Sequence, residues 1–202
     1  MHYQTLEEIK TKFQVIYCDP AWSYDNSQHG GAEAGVCSDA EFHYDTMSIN
    51  DIKAMPVKNV TDKDCLCYMW VGSPMLDVAI EVLTAWGFKY TTVAFVWDKQ
   101  QVNPGSYTMS QVEIVIVGKK KGGKIPVPRG SRNERQFLSK ERTVHSEKPH
   151  DIRERITRMH PSQNKLEMFS RHTTTGWDTF GNMTGDLDKI ELPTDLFEGF
   201  YS

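Results

Sequence analysis

The chain has 202 residues, 39% of them hydrophobic and 25% charged, with a formal net charge of −4. That length supports one domain spanning 1–202 with a sizeable core, and the mild acidity excludes a molecule that binds polyanions over its whole surface. No run approaches the roughly 18 apolar residues of a membrane span, and Met1-His2-Tyr3-Gln4 lacks the basic flank and apolar stretch of a secretory signal.

Residues 13–18 read as a first strand. Residues 23–46 are rich in Gly, Ser, Asp and His without periodicity and read as a long loop; loops of this length inside a compact domain are often functional. Cys65 to Val71 is a second strand, on which Cys65 and Cys67 share one face and pack as small apolar groups. The four cysteines, with Cys18 and Cys37, contain no Cys-x-x-Cys pair. No metal site is therefore expected, and reduced thiols without a signal point to the cytoplasm. Gly72-Ser73-Pro74 opens a helix with Ser73 as N-cap and Pro74 at the first position. Leu76, Ala79, Ile80, Leu83 and Trp86 follow at helical spacing, and Gly87 ends it. Thr91 to Trp97 is a third strand and Val112 to Val117 a fourth, apolar enough to be buried on both faces. A helix begins at Pro149 with Ile152, Ile156 and Met159 inward, and Leu166 to Phe169 is a last strand. Strand and helix alternate, which predicts an α/β fold with a mostly parallel sheet. Residues 184–202 read as a tail or edge element, and Leu196, Phe197, Phe200 and Tyr201 make it a candidate surface for docking on the body or on a partner subunit, a homodimer included.

Charge is uneven. The segment 119–142 carries nine Lys/Arg and two Glu. With Gly122, Gly123, Pro126, Pro128 and Gly130 and few large apolar residues, it reads as a mobile basic loop suited to a phosphate backbone, with Lys119, Lys120, Lys121, Arg129 and Arg132 as its contacts.

Two groups of residues carry chemistry. Asp19-Pro20-Ala21-Trp22 directly follows the apolar run Val15 to Cys18, so a carboxylate, a rigid turn and a large aromatic sit where a buried strand ends. Ligands of open α/β sheets bind at that edge. Such a group can grip a planar amino group and hold the ring behind it. The second group lies late: Val144-His145-Ser146-Glu147-Lys148-Pro149 leads into a helix, and Leu166-Glu167-Met168-Phe169-Ser170-Arg171 is followed by Gly176-Trp177-Asp178-Thr179-Phe180-Gly181-Asn182.

In these blocks the chain resembles the DPPW-type N6-adenine methyltransferases, a family that includes the catalytic subunit acting on eukaryotic mRNA and many bacterial and phage DNA enzymes. Asp19 to Trp22, Tyr44-Asp45-Thr46-Met47-Ser48, His145 to Pro149 and Leu166 to Asn182 match in the family's order, and Trp70, Trp86-Gly87-Phe88 and Glu113 also fit. The resemblance covers residues 13–183. It implies a Rossmann-like, S-adenosylmethionine-dependent methyltransferase. In it Asp19, Pro20, Ala21 and Trp22 form the catalytic turn, and Asp19, Lys148, Glu167, Arg171, His172 and Asn182 hold the cofactor. Glu167 at a late strand end suits ribose hydroxyls, and Lys148 suits the donor's methionine carboxylate. Trp22 would stack on the base, Tyr24 or Tyr44 would close over it, and the basic loop would hold the strand.

The adenine amino nitrogen is a poor nucleophile because its lone pair is delocalised into the ring. The Asp19 carboxylate and the Pro20 carbonyl can accept its two hydrogens, so positioning and electrostatics suffice without a metal. Two departures bear on this. The family's second Pro is Ala21 here, which frees a φ angle and loosens the turn. The Thr-rich loop after Arg171 places the chain nearer the compact bacterial and phage members, so DNA is expected before RNA. Methylation of protein glutamine amides and a non-catalytic, nucleic-acid-binding partner subunit are the competing expectations; the retained Asp19, Lys148 and Glu167 argue against the second.

Overall fold

The computed structural model describes residues 1–22, 47–105, 107–142 and 148–181. Tyr24, Tyr44, Cys37, Asn182 and the 184–202 tail, with the expectations attached to them, lie outside the described residues. The strands are β1 (His2–Tyr3), β2 (Phe13–Cys18), β3 (Thr61–Gly72), β4 (Phe88–Asn103), β5 (Ser110–Lys120), β6 (Phe137–Ser139), β7 (Lys165–Met168) and β8 (Asp178–Phe180). The helices are α1 (Ile49–Ala54), α2 (Leu76–Ala85) and α3 (His150–Met159). The eight strands of the described residues join one sheet in the order β1-β8-β7-β2-β3-β5-β4-β6. Among the described strands only β5 runs against its neighbours. The sheet is therefore mostly parallel, with seven carboxyl ends on one edge. No helix of the described residues is long and apolar enough to cross a membrane.

The period of two along the strands builds two cores. On β3, Cys65, Cys67, Met69 and Val71 face α1 and α2, where Ile52, Ala79, Val82, Leu83 and Trp86 pack with them. The alternate residues Leu66, Tyr68 and Trp70 join Tyr17, Phe95, Trp97 and Val115 beneath Ile152 and Ile156 of α3. Cover on both faces explains why the central strands read as continuous apolar runs.

Several expectations change in detail. Ser73 does not cap α2: Ser73-Pro74-Met75 forms a 3-10 turn with Pro at its start, and α2 begins only at Leu76. The helix does end at Gly87, whose φ of +87° suits a residue without Cβ. β7 is not the last strand, because Asp178-Thr179-Phe180 pairs alongside it as β8. The segment 119–142 is not a free loop. Its Gly130 and Ser131 amides bond the Met159 and Arg158 carbonyls, Arg155 bonds the Arg135 and Phe137 carbonyls, and its β6 pairs with β4. Backbone contacts along α3 replace the apolar burial that the segment lacks.

At the amino edge, His160 is 2% exposed and bonded through Nε2 to the Tyr68 hydroxyl at 2.9 Å. Burial, with Arg129 and Lys165 nearby, depresses its pKa to about 4. An unfolded imidazole takes its proton near 6.5. Between those values the unfolded state binds more protons, so stability falls as pH drops through the window. Wild type should lose on the order of 3 kcal/mol from this group between pH 7 and pH 4. Urea unfolding of wild type and His160→Gln at several pH values checks it: the difference between the two must shrink on acidification.

Candidate active site

β2 is followed by a connection to β3 on one side, and β7, its neighbour on the other side, by a connection away to β8. The two connections diverge, which opens a crevice at the carboxyl edge between β2 and β7. Asp19 leaves β2 there. Cys18 pairs with Met168 and Tyr17 with Glu167, so the two strand ends are level.

The period of two also selects the side chains. Tyr17, Trp70, Val115 and Trp97 point to the α3 face. One step of two residues further, β5 back to Glu113 and β4 on to Lys99 place charge on that same face as the core gives out. Residues of β2 and β7 do likewise with Asp19 and Glu167. Lys148, just before α3, closes the group. Its Nζ lies 3.1 Å from Asp19 Oδ2, 3.1 Å from Glu113 Oε2 and 5.7 Å from the Trp70 ring centroid. Lys99 Nζ stands 3.4 Å from Glu113 Oε1. Two cations and two carboxylates thus alternate across the strand ends. Beside them Arg153 Nη1 donates to both Glu167 oxygens, at 3.1 and 2.9 Å. The Tyr17 hydroxyl accepts from Trp70 Nε1 at 2.6 Å.

The charges tune one another. Burial pushes the Asp19 carboxyl above its ordinary range, with Lys148 pulling it down and Glu113 pushing it up. Burial acts upward on Glu113 too, but Lys148 and then Lys99 outweigh it and hold this group below the usual range. Burial acts downward on Lys148, and the two carboxylates more than reverse it, so the ammonium stays protonated. Burial raises Glu167 despite Arg153.

The turn from Asp19 to Trp22 is tight. The Trp22 amide bonds the Pro20 carbonyl at 2.8 Å across Ala21, a three-residue turn, and the Ala21 carbonyl accepts from the Met47 amide at 3.2 Å. These two bonds restrain the turn around Ala21, where the family's second proline would fix φ. A carbonyl oxygen has two lone pairs, and the Trp22 amide uses one of those on Pro20. Trp22 itself departs from expectation. Its ring is 7% exposed within the α1–α2 core, and its indole N–H donates to the Trp70 carbonyl at 3.2 Å. A buried indole N–H needs an acceptor, and that bond draws the ring inward, where it anchors the turn instead of offering a face for stacking.

Of the other expected residues, Arg171 follows β7 and acts electrostatically on Asp19. His172 is exposed, and its carbonyl accepts from the Ser170 hydroxyl. Phe169, at the turn between Glu167 and Arg171, has φ +62°, and a Cβ on Gly181 would lie 2.5 Å from the Ser170 carbonyl oxygen. The loop that follows β7 is therefore built by close backbone packing. The basic residues do not assemble here. β5 runs backward, so Lys119 pairs with Leu66, about 13 Å down the sheet from the level of Asp19. Lys120 bonds the Thr61 hydroxyl, Lys121 turns at the same edge with its amide on the Gly87 carbonyl, and Arg129 lies near Tyr68 and His160. Arg132 adjoins Ser131, which is tied to the end of α3. Only the far end of the segment, Lys140 and Arg142, returns to the carboxyl edge, through amide bonds to the Asp98 and Lys99 carbonyls.

A mostly parallel sheet with acids and bases gathered at a switch point defines an α/β protein with a candidate ligand site at its carboxyl edge. Comparison with known proteins supplies the family. The MT-A70 family model matches residues 13–183. The Type II methyltransferase M.MunI of a Mycoplasma species is 43% identical over 196 residues, covering 92% of this chain and 83% of that protein. The N(6)-adenosine-methyltransferase MT-A70-like protein of Drosophila melanogaster is 27% identical over 191 residues, 90% of this chain and 28% of that protein. The human N(6)-adenosine-methyltransferase catalytic subunit METTL3 is 24% identical over 196 residues, 91% of this chain and 30% of that protein. The chain belongs to the MT-A70 family.

Proposed function

We propose that this chain transfers a methyl group from S-adenosylmethionine to N6 of adenine at particular sites in DNA. The observation that carries this reading is the Asp19 carboxylate next to Pro20 at the carboxyl end of β2, paired with Lys148, which Glu113 in turn holds. The similarity to a Type II methyltransferase over most of both chains supports DNA over RNA.

The donor's chemistry suits the residues present. It carries a carboxylate, an ammonium and ribose hydroxyls. Lys148 and Arg171 are cations at the crevice, and Asp19 and Glu167 are acceptors there. A carboxylate has about four lone-pair sites, so Glu167 can keep Arg153 and still accept from ribose. An ammonium has three N–H donors, of which Asp19 and Glu113 take two; the third is the one we assign to the donor's carboxylate. When bound, S-adenosylmethionine supplies a methyl group already activated by its sulfonium sulfur.

The protein's part is to prepare the nitrogen. Asp19 accepts one amino hydrogen and the Pro20 carbonyl, through its second lone pair, the other. Two acceptors out of the ring plane favour a pyramidal nitrogen whose lone pair points at the methyl. Lys148 keeps Asp19 ionised for this despite burial, and Trp22 keeps the turn from moving. Such preorganisation does no reorganisational work at the moment of reaction. A duplex adenine has first to leave its stack.

Labelled S-adenosylmethionine offered with duplex DNA, single-stranded DNA and RNA in parallel, followed by mass spectrometry of the nucleosides, tests the proposal. N6-methyladenine from DNA is expected. N6-methyladenosine from RNA alone would reassign the substrate. Donor binding without transfer to any of the three would point to a protein amide or a missing partner, and failure to bind donor to a non-catalytic subunit.

A further inference from the structure

β4 and β5 continue past the sheet as a hairpin whose last pair is Asn103 with Ser110. The root of this hairpin is Glu113, the residue that holds Lys148, and the three residues from Glu113 to Ser110 carry it about 10 Å outward from the active edge. Its turn is tightly built: a Cβ on Gly105 would lie 2.5 Å from the Thr108 carbonyl oxygen. On this tip Tyr107 is 99% exposed, and Val102 and Met109 are 49% and 58% exposed. Seven large hydrophobics stand exposed among the described residues, and these three share one tip.

Their setting points to one occupant. Gln101, Asn103 and Thr108 on the same tip are exposed, and their amide and hydroxyl groups suit base edges. Lys140 and Arg142 flank the root through the backbone of Asp98 and Lys99, and Lys140 stays 49% exposed while it pairs with Asp151. A two-stranded ribbon fits the major groove of B-DNA, whereas a stable protein interface needs a broad contiguous surface that a narrow tip does not offer. We propose that the β4–β5 hairpin is the DNA-recognition element of this enzyme: its tip enters the groove beside the target adenine, and Tyr107 packs on the neighbouring base exposed when the target leaves the stack. This rests on the DNA-methylation reading above and assigns site recognition to Gln101, Asn103, Tyr107 and Thr108, within the same domain as the active site.

The test takes a duplex in which wild type has been shown by its product to methylate a mapped adenine, with 2-aminopurine placed next to that adenine as a stacking reporter. Tyr107→Ala should raise KM for the duplex between about 5- and 150-fold, the range for losing one base–aromatic stack. It should leave kcat and donor affinity unchanged, and Tyr107→Trp should restore KM. The reporter's fluorescence should be quenched by wild type and by Tyr107→Trp but not by Tyr107→Ala. Tyr107 is fully exposed, so both variants fold. Unchanged KM and quenching in Tyr107→Ala would overturn the proposal while leaving the methylation reading intact. A change in sedimentation with unaltered duplex affinity would overturn it in favour of a second copy of the chain. Absence of methylation by wild type would instead defeat the underlying reading.

Discussion

Asp19→Asn removes methyl transfer by about three orders of magnitude or more at saturating donor, while far-UV circular dichroism and urea midpoint stay close to wild type. Loss of one preorganised hydrogen-bonding group at a reacting centre typically lowers kcat about 10²–10³-fold, and here the group also carries the charge. Asparagine keeps the shape but can present only one carbonyl oxygen, and its amide can turn donors toward the adenine amino group, opposing what the carboxylate does. The fold is expected to persist because Lys148 retains Glu113 and the Trp70 ring as partners. Single-turnover methylation with saturating donor separates the chemical step from binding. Activity of Asp19→Asn within tenfold of wild type would refute the assigned role of Asp19.

What the sequence made legible, and what it hid, follows from the geometry of strand ends. Asp19, Lys148 and Glu167 could be found because each lies beside an apolar run or at the start of a helix, so one element suffices to place it. Lys99 was missed, and Glu113 was noticed only as fitting a pattern, because their partnership depends on strands β4 and β5 meeting. A signal existed all the same. Lys99 continues the alternation of Phe95 and Trp97, and Glu113 that of Val115 and Val117, so each is a charge in line with a buried stripe. The basic segment failed for the opposite reason. Its charge is real in the linear count, but the antiparallel course of β5 delivers Lys119 to Lys121 to the amino edge, and no composition records strand direction. Strands β1, β6 and β8 have two or three residues each, too few to show any period.

Lys148→Met should lower kcat/KM at neutral pH by about 100-fold or more and move the acid limb of the pH–rate profile upward by about 1–3 units. The sign follows from the surroundings of Asp19. Burial already raises its pKa, and Glu113 raises it further; Lys148 is the main counterweight. Without the ammonium, two carboxylates that shared one cation face each other, and the form of Asp19 required for catalysis, the carboxylate, is reached only at higher pH. Stability should fall as well, by less than the ~3–5 kcal/mol of a fully buried broken pair, because the Lys148 and Asp19 side chains keep 20% and 31% of their exposure. Adding Glu113→Gln to Lys148→Met removes the repulsion. The double variant should therefore recover stability and bring the acid limb part of the way back, yet keep the weakened donor binding that belongs to Lys148 alone. A merely structural lysine would give the stability loss without moving the pH profile, so an unshifted acid limb in Lys148→Met would refute electrostatic control of Asp19. Comparing pH–rate profiles of the two single variants and the double variant, each with donor KM measured alongside, distinguishes the two roles assigned to this one ammonium.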